Sequence, residues 1–354
     1  MKPTQQLHDL GQSLWIDNIS RTMLADGTLK EFIDELCVTG LTSNPTIFEK
    51  AIGGSDAYDA AIRSKSAAGL QGEQLFYQLA IEDLTQAADL FLPVHQATRG
   101  IDGWVSLEVS PLLAEDTAGS LAAARQLHAQ AARPNLFIKI PGTPAGIQAI
   151  EDSIFAGVPV NVTLLFSRAQ YLAAAEAYLR GIERRIAAGL APVVESVASV
   201  FVSRWDVAIK DKVTAALRNR LGIAISQQIY KACCELQASA RYQKVLKAGA
   251  HPQRLLWAST GTKDPSAPDT LYVSALAAPD TVNTMPDKTL LAFADHGKVD
   301  AVMDKSGGDS KSVLAEFAAA GIDTTQLAVQ LQREGAQSFT ASWNDLLKSL
   351  ASKS

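Results

Sequence analysis

The chain has 354 residues, of which 47% are hydrophobic and 19% are charged, and its formal net charge is −5. Lysine and arginine are dispersed along it, so neither nucleic acid nor an anionic membrane surface is expected as a partner. No apolar stretch approaches the roughly 18 residues that span a bilayer, and no apolar signal region follows Met1. We therefore expect a cytoplasmic protein.

Cysteine and motif content argue against several classes of site. The three cysteines, Cys37, Cys233 and Cys234, make no disulfide framework, which fits a reducing compartment. The sequence contains no dinucleotide fingerprint, no P-loop and no His-Glu-x-x-His motif. Its five histidines are far apart and outside the apolar runs, so no metal site is expected.

Short apolar runs alternate with long amphipathic stretches along the chain. The helix after the first run has Leu29, Phe32, Ile33 and Leu36 on one face. The eight runs that predict strands are residues 14–17, 40–44, 104–109, 136–140, 160–165, 193–202, 255–259 and 281–284. Strand followed by helix, repeated about eight times, predicts a parallel sheet closed into a (β/α)8 TIM barrel of the α/β class.

The helical stretches predict how the rest of the chain is organised. Ser167 is the expected N-cap of the helix after the fifth run, and Gly189 marks its expected end. The connections 45–103 and 205–254 are too long for one helix each, so extra helices are expected there. Without a linker or repeat, residues 1–354 are predicted to form a single barrel domain.

The C-terminal region is helical in pattern. Residues 286–354 are predicted to form a helical extension packed on the barrel. The glycine-rich, charged segment 295–311 within it is predicted to be a mobile loop.

Lys139 is the most informative single residue. It lies in the apolar fourth run, where an ammonium is costly to bury unless it is paired or neutral. A neutral buried amine can attack a carbonyl and form a Schiff base. The strand alone leaves open a second interpretation, a structural ion pair with a carboxylate.

Alternation along the strands extends this site. If Lys139 points into the barrel, most of the remaining strands also place a polar side chain on the inner face. These side chains lie close to the carboxyl ends, where active sites of this fold lie. These residues are Asp17, Thr42, Asn44, Ser106, Glu108, Asn161, Thr163, Ser199 and Ser259, together with Phe201. Convergence of this many polar groups on one lysine favours a catalytic site.

The residue types in this set suit carbon–carbon bond chemistry on a ketose. Lys139 would form a cationic imine, and Asp17 and Glu108 would supply the acid and base for cleavage and dehydration. The neutral amides and hydroxyls suit a polyhydroxylated substrate. Arg204 and the segment from Ser259 to Lys263 follow the sixth and seventh strands, where barrels often bind phosphate.

Taken together, these segments resemble the transaldolases. The motifs occur in the order of that family and cover most of the chain up to the seventh strand. They are Trp15-Ile16-Asp17, Thr42-Ser43-Asn44-Pro45, Val105-Ser106-Leu107-Glu108-Val109, Ile138-Lys139-Ile140, Asn161-Val162-Thr163-Leu164-Leu165-Phe166-Ser167 and Ser199-Val200-Phe201. The length of the C-terminal region is similar to that of a longer bacterial branch of the family.

The resemblance implies a Schiff-base lysine, no cofactor, and transfer of dihydroxyacetone from sedoheptulose 7-phosphate or fructose 6-phosphate to glyceraldehyde 3-phosphate or erythrose 4-phosphate in the pentose phosphate pathway. It implies that Lys139 forms the imine, that Asp17 acts on the C4 hydroxyl, and that Glu108 acts with Thr163 and a water. The remaining implied roles are contact with the dihydroxyacetone hydroxyls for Asn44, Asn161 and Ser199 and phosphate binding for Arg204 and Ser259, with Thr42 and Phe201 as further substrate contacts.

One position departs from the family pattern. Better-known members carry an arginine where this chain has Gly261, and Lys263 is the expected replacement. Two rival functions remain: a fructose-6-phosphate aldolase with the same imine, and a non-catalytic sugar-phosphate-binding barrel. The sequence leaves the oligomeric state open between monomer and homodimer.

Overall fold

Eight parallel strands close into a barrel in the computed structural model, which describes all residues from 1 to 354. Each strand pairs with the next in chain order, and the last pairs with the first. The strands are β1 (Ser13–Ile16), β2 (Val38–Thr42), β3 (Trp104–Glu108), β4 (Leu136–Pro141), β5 (Val160–Leu165), β6 (Ser196–Phe201), β7 (Arg254–Ala258) and β8 (Val282–Met285). The predicted (β/α)8 fold is confirmed, and each predicted run overlaps one strand.

Helices surround the barrel and fill the long connections. They are α1 (Pro3–Leu10), α2 (Arg21–Ala25), α3 (Thr28–Leu36), α4 (Pro45–Gly53), α5 (Asp59–Ala67), α6 (Gly72–Ala97), α7 (Thr117–Ala131), α8 (Pro144–Phe155), α9 (Arg168–Ala187), α10 (Ser203–Ile209), α11 (Leu221–Ala238), α12 (Ala240–Lys247), α13 (Leu271–Ala275), α14 (Asp287–His296), α15 (Ser310–Ala319) and α16 (Thr324–Lys353). The extra helices expected in the two long connections are present as α4 to α6 and α10 to α12.

Local sequence explains where α9 begins and ends. Ser167 accepts a hydrogen bond from the backbone N–H of Gln170, and the Gln170 side chain binds back to the N-cap backbone. The helix ends at Ala187, two residues before Gly189, whose φ of 71° lies in the left-handed region that glycine adopts readily. Both predicted ends are confirmed.

Aromatic side chains fill the half of the barrel nearer the amino ends of the strands. Trp104 stacks on Phe137 with ring centroids 4.1 Å apart, and Trp15 lies 6.2 Å from Phe137. The Trp15 indole N–H donates to Asp102 at 2.8 Å. Because this half is filled, the polar residues of the same inward faces lie toward the carboxyl ends of the strands.

The last helix, α16, reaches the carboxyl end of the barrel. It packs on α4 and α6, and the Gln332 side chain donates to the carbonyls of Gly142 and Leu164, each at 3.0 Å. Leu164 has a φ of 59°, and the β5–β6 register shifts between Val162 and Leu165. Because Asn161 and Thr163 are predicted to face inward, strict alternation would turn Leu164 toward the outer helices. It breaks down there: Leu164 packs against Gly335 of α16.

Residues 297–309, between α14 and α15, form neither helix nor strand. The mobility of segment 295–311, the single-domain organisation and the role of 286–354 as an extension stay predictions. None of the helices is both long enough and apolar enough for a transmembrane segment.

Candidate active site

Lys139 lies at the centre of the site, on the inner face of β4. Its side chain is 5% exposed, and its ammonium donates to the Ser43 carbonyl at 2.9 Å. The register of the sheet aligns it with Glu108 on one side and Asn161 on the other. Lys139 also lines a cavity of about 600 Å³. The amine is therefore buried in the wall and open to a space that can hold a sugar phosphate.

Glu108 is the nearest carboxylate to this amine. Its Oε2 lies 3.2 Å from Nζ of Lys139, yet neither carboxylate oxygen accepts a well-oriented hydrogen bond. Burial raises the pKa of Glu108, and the positive charge of Lys139 opposes part of that rise. The buried Thr163 hydroxyl also lacks a partner. Unsatisfied buried groups of this kind favour a bound water or substrate beside Glu108 and Thr163.

Asp17 immediately follows β1 and faces the same cavity. The Thr42 hydroxyl donates to its Oδ1 at 2.6 Å and lies 2.7 Å from the hydroxyl of Thr284. Burial raises the pKa of Asp17, whereas the Lys139 charge, the Thr42 hydrogen bond and the Arg204 charge all lower it. Thr42 thus orients the Asp17 carboxyl group, and the surrounding charges modify its pKa.

Some of the neutral polar residues line the cavity, and others are buried behind them. Ser199 lines the cavity and donates to Asn161 Oδ1 at 2.7 Å, while the Asn161 amide donates to Ser106 at 3.1 Å. Asn161 is fully buried behind Ser199, so it supports that hydroxyl in this structure. Asn44 lines the cavity and caps α4, its Oδ1 accepting from the Ile47 N–H at 3.0 Å. Its amide N–H₂ group is left for a ligand.

Arg204 provides the cation at one end of the cavity. It stands in α10 just after β6, and its guanidinium lies 5.0 Å from the Phe201 ring centroid and 5.8 Å from that of Phe339. It forms no ion pair within the protein. Burial lowers its pKa, and the charges of Asp17 and Glu108 oppose that effect. A desolvated guanidinium without a counter-ion is suited to bind a phosphate.

The segment after β7 borders the same end. Ser259 lines the cavity with a φ of 56°, and its hydroxyl lies 3.0 Å from that of Ser203. It reaches the cavity through this left-handed backbone, whereas strand alternation alone gives the inner face to Ala258. Gly261 and Lys263 also line the cavity. A Cβ atom on Gly261 would lie 3.2 Å from the Thr289 hydroxyl, so this position is close to its neighbours.

Comparisons with known proteins agree with this geometry. The family described as Transaldolase/Fructose-6-phosphate aldolase matches residues 14–350. The chain belongs to this family. A transaldolase of Arthrobacter sp. (strain FB24) is 44% identical over 98% of this chain and 95% of its own. Transaldolases of Thermobifida fusca (strain YX) and Neisseria gonorrhoeae (strain ATCC 700825 / FA 1090) are 43% and 42% identical, over 99% and 96% of this chain and 97% of each relative.

Family membership makes the chain an enzyme, and the names of these relatives place it among the transferases. The family also implies sugar phosphates as substrates. The structure brings together no three His, Cys, Asp or Glu side chains that could hold a metal ion.

Sequence reasoning missed several residues that line the cavity. Four of them lie on α4 beyond Asn44, where helical spacing from that residue could have indicated them. The missed residues are Asn18, Ser20, Thr46, Ile47, Lys50, Ala51, Ala258, Thr284, Pro286, Ser338 and Phe339. Ser338 and Phe339 come from α16, which has no strand before it, so no pattern in the sequence pointed to them.

Proposed function

We propose that the chain catalyses transfer of a dihydroxyacetone unit from a ketose phosphate to an aldose phosphate through an imine on Lys139. The observation that carries this proposal is the buried amine of Lys139 on the wall of a large polar cavity, with Glu108 3.2 Å away and Asp17 on the same cavity. The donor would be sedoheptulose 7-phosphate or fructose 6-phosphate. The acceptor would be glyceraldehyde 3-phosphate or erythrose 4-phosphate.

Imine formation begins when the ammonium of Lys139 gives a proton to the nearest base, Glu108. The neutral Nζ then adds to the C2 carbonyl of the ketose, and the resulting carbinolamine loses water. Glu108 protonates the departing hydroxyl, with Thr163 and a bound water relaying the proton. The ion pair of Glu108 with Lys139 and the buried Thr163 hydroxyl, which has no hydrogen-bond partner, support this division of roles.

Carbon–carbon cleavage then falls to Asp17. It takes the proton of the C4 hydroxyl, the C3–C4 bond breaks, and its electron pair flows into the iminium to give an enamine on Lys139. The aldose phosphate leaves and an acceptor aldose phosphate takes its place. The enamine attacks the new aldehyde, Asp17 returns the proton, and hydrolysis of the imine releases the new ketose.

The remaining polar residues are proposed to hold the substrate. Asn44 and Ser199 would bind the dihydroxyacetone hydroxyls, with Asn161 behind Ser199 and Thr42 behind Asp17. Phe201 would form an apolar wall. The phosphate group would lie at the other end, and its proposed ligands are Arg204, Ser259 and Lys263.

Borohydride trapping tests the proposal. Reduction in the presence of fructose 6-phosphate should attach one reduced dihydroxyacetone unit to Lys139, because no other lysine side chain is buried. Peptide mass mapping locates the adduct. Lys139→Arg should abolish it, whereas Lys50→Arg and Lys263→Arg, which alter the other cavity lysines, should retain it. An adduct on another lysine would refute the assignment.

Acceptor dependence separates transfer from simple aldolase activity. A transaldolase should turn over fructose 6-phosphate rapidly only when erythrose 4-phosphate is present. Rapid release of free dihydroxyacetone without an acceptor would instead identify an aldolase. A cytoplasmic location, a place in the non-oxidative pentose phosphate pathway and a monomeric or homodimeric state are parts of the same proposal.

A further inference from the structure

Asp17 is not the only carboxylate close to the carboxyl ends of β1 and β8. Its backbone N–H donates to the Met285 carbonyl at 2.8 Å, which ties it to the end of β8. Two residues later, Asp287 begins α14. The Asn18 side chain donates to Asp287 Oδ2 at 2.8 Å. The residue after Asp17 is therefore fastened to the residue that opens α14.

The second oxygen of Asp287 is buried and has no hydrogen-bond partner. Asp287 is the first residue of α14, a position at which the helix dipole favours a negative charge. No cation forms an ion pair with it, and the charge acts on its surroundings largely unpaired. The charge of Asp287 raises the pKa of Asp17, although less than burial does.

We propose that Asp287 is a positioning residue for Asp17, holding the loop after β1 through Asn18 and placing a negative charge beside the acid–base carboxyl group. This inference rests on the proposed function. Nothing in that function uses Asp287, since the roles described above belong to residues on β1 to β7 and the segments that follow them.

The other charges around Asp17 explain why such a residue is useful. Lys139 on β4 and Arg204 on α10 favour the ionised form of Asp17, and Asp287 on α14 disfavours it. Glu108 on β3 is the other carboxylate facing the site, and the charge of Asp17 raises its pKa. An acid–base group that takes a proton in cleavage and returns it in condensation works best when neither form is too stable. Lys50 of α4 and Lys263 after β7 also line the cavity, so four cations face the site, and Asp287 offsets part of the effect of Lys139 and Arg204.

The pH dependence of a single step tests this inference. The cleavage rate of bound fructose 6-phosphate, followed as glyceraldehyde 3-phosphate release in one turnover, should fall on the acid side as Asp17 becomes protonated. Asp287→Asn removes the opposing charge and keeps the size of the side chain. It should shift this acid limb to lower pH by about 0.5 or more, the direction expected when a like charge is removed.

Three variants separate charge from structure. Asp287→Glu retains the charge and should leave the acid limb near its wild-type position. Asn18→Ala retains the charge but loses the link, so it should lower the cleavage rate with little shift of the limb. Asp295→Asn, at the other end of α14 with an 84% exposed side chain, should change neither.

Two outcomes would overturn the inference. One is an Asp287→Asn limb that superimposes on the wild-type limb. The other is an Asn18→Ala shift as large as that of Asp287→Asn. Borohydride trapping on Lys139 is measured in the same samples. If wild-type enzyme fails to trap substrate, the proposed function fails; if trapping is normal and the limb does not move, only the role of Asp287 fails.

Discussion

The inner face of the barrel carries three ionisable side chains, Asp17, Glu108 and Lys139. Burying each of them in its charged form costs free energy. The Lys139 ammonium keeps one carbonyl and one carboxylate as neighbours, which limits the cost of desolvation. Burial raises the pKa values of both carboxyl groups, and the Lys139 charge opposes the rise in each. A smaller rise comes from Asp287 for Asp17 and from Asp17 for Glu108. Such raised values bring a carboxyl group closer to the range in which it can both accept and donate a proton.

Asp17→Ala separates imine formation from cleavage. We expect the variant to slow cleavage of fructose 6-phosphate by at least about a hundredfold, since it loses the group that takes the C4 hydroxyl proton. Borohydride should still trap sugar on Lys139, because Glu108 and Thr163 remain. Single-turnover release of glyceraldehyde 3-phosphate and adduct mass measure the two steps. A variant that neither traps nor binds sugar would contradict this division of labour.

At the scale of elements, the strands place Lys139 and Glu108, and α16 closes the end of the cavity at which Arg204 lies. The Gly335 position shows how closely the helix approaches. A Cβ atom there would lie 2.8 Å from Leu164 Cδ2 and 3.3 Å from Nη1 of Arg204. Phe339, one turn further along α16, lies beside the same guanidinium. The helix α16 therefore limits the orientations open to the Arg204 guanidinium.

Gly335→Ala tests this role of α16. The added methyl group displaces Leu164 or the Arg204 guanidinium, so we expect KM for fructose 6-phosphate to rise by about threefold to tenfold with a smaller change in kcat. Turnover of unphosphorylated fructose should change little. Gln337→Ala, an exposed position on the same helix, is the matched control. Equal losses on both sugars would show that the substitution disturbs the barrel and not phosphate binding.

The strands, and the site residues on them, could be predicted because each is an apolar run with a fixed two-residue period. The register then aligns Glu108, Lys139 and Asn161 as that period requires. Where the backbone leaves the period, strict alternation no longer gives the direction of a side chain: Leu164 and Ser259 both adopt left-handed conformations. Ser259 lines the cavity as predicted, but through this conformation and not through the strand period. Residues that reach the site from distant elements, such as Phe339 and Asp287, could not be found because only the closed fold brings them there.

At the scale of the whole molecule, stability and catalysis are located in different layers. The amino-terminal half of the barrel is filled by aromatic rings, and Gly40 lies against Trp15, where a Cβ atom would come within 2.5 Å of the indole. The carboxyl-terminal half instead contains a cavity of about 600 Å³ bordered by charges. The free energy gained by packing in the amino-terminal half therefore has to offset the free-energy cost of the cavity and its buried charges in the other half.

The pH dependence of stability tests that cost. The folded-state pKa of Asp17 is raised above its ordinary value, so folded protein holds this proton more tightly than unfolded protein does. The resulting stabilisation is complete below the unfolded pKa of about 4 and is lost as pH rises through the higher folded value. Asp17→Asn cannot ionise, and it should therefore raise the melting temperature at pH 7 by roughly 1–3 °C while losing activity.

The difference in melting temperature between Asp17→Asn and wild type should shrink as pH is lowered toward about 4, because a growing fraction of wild-type Asp17 then carries a proton. Calorimetric scans of both proteins across this range measure it. Asp345→Asn replaces a carboxylate whose side chain is 60% exposed, so the same scans should show no comparable gain at pH 7. A melting temperature for Asp17→Asn that is lower than wild type at pH 7 would mean that ionised Asp17 stabilises the fold through its contacts with Thr42 and the two cations. The charged groups that line the cavity would then contribute to the stability of the barrel.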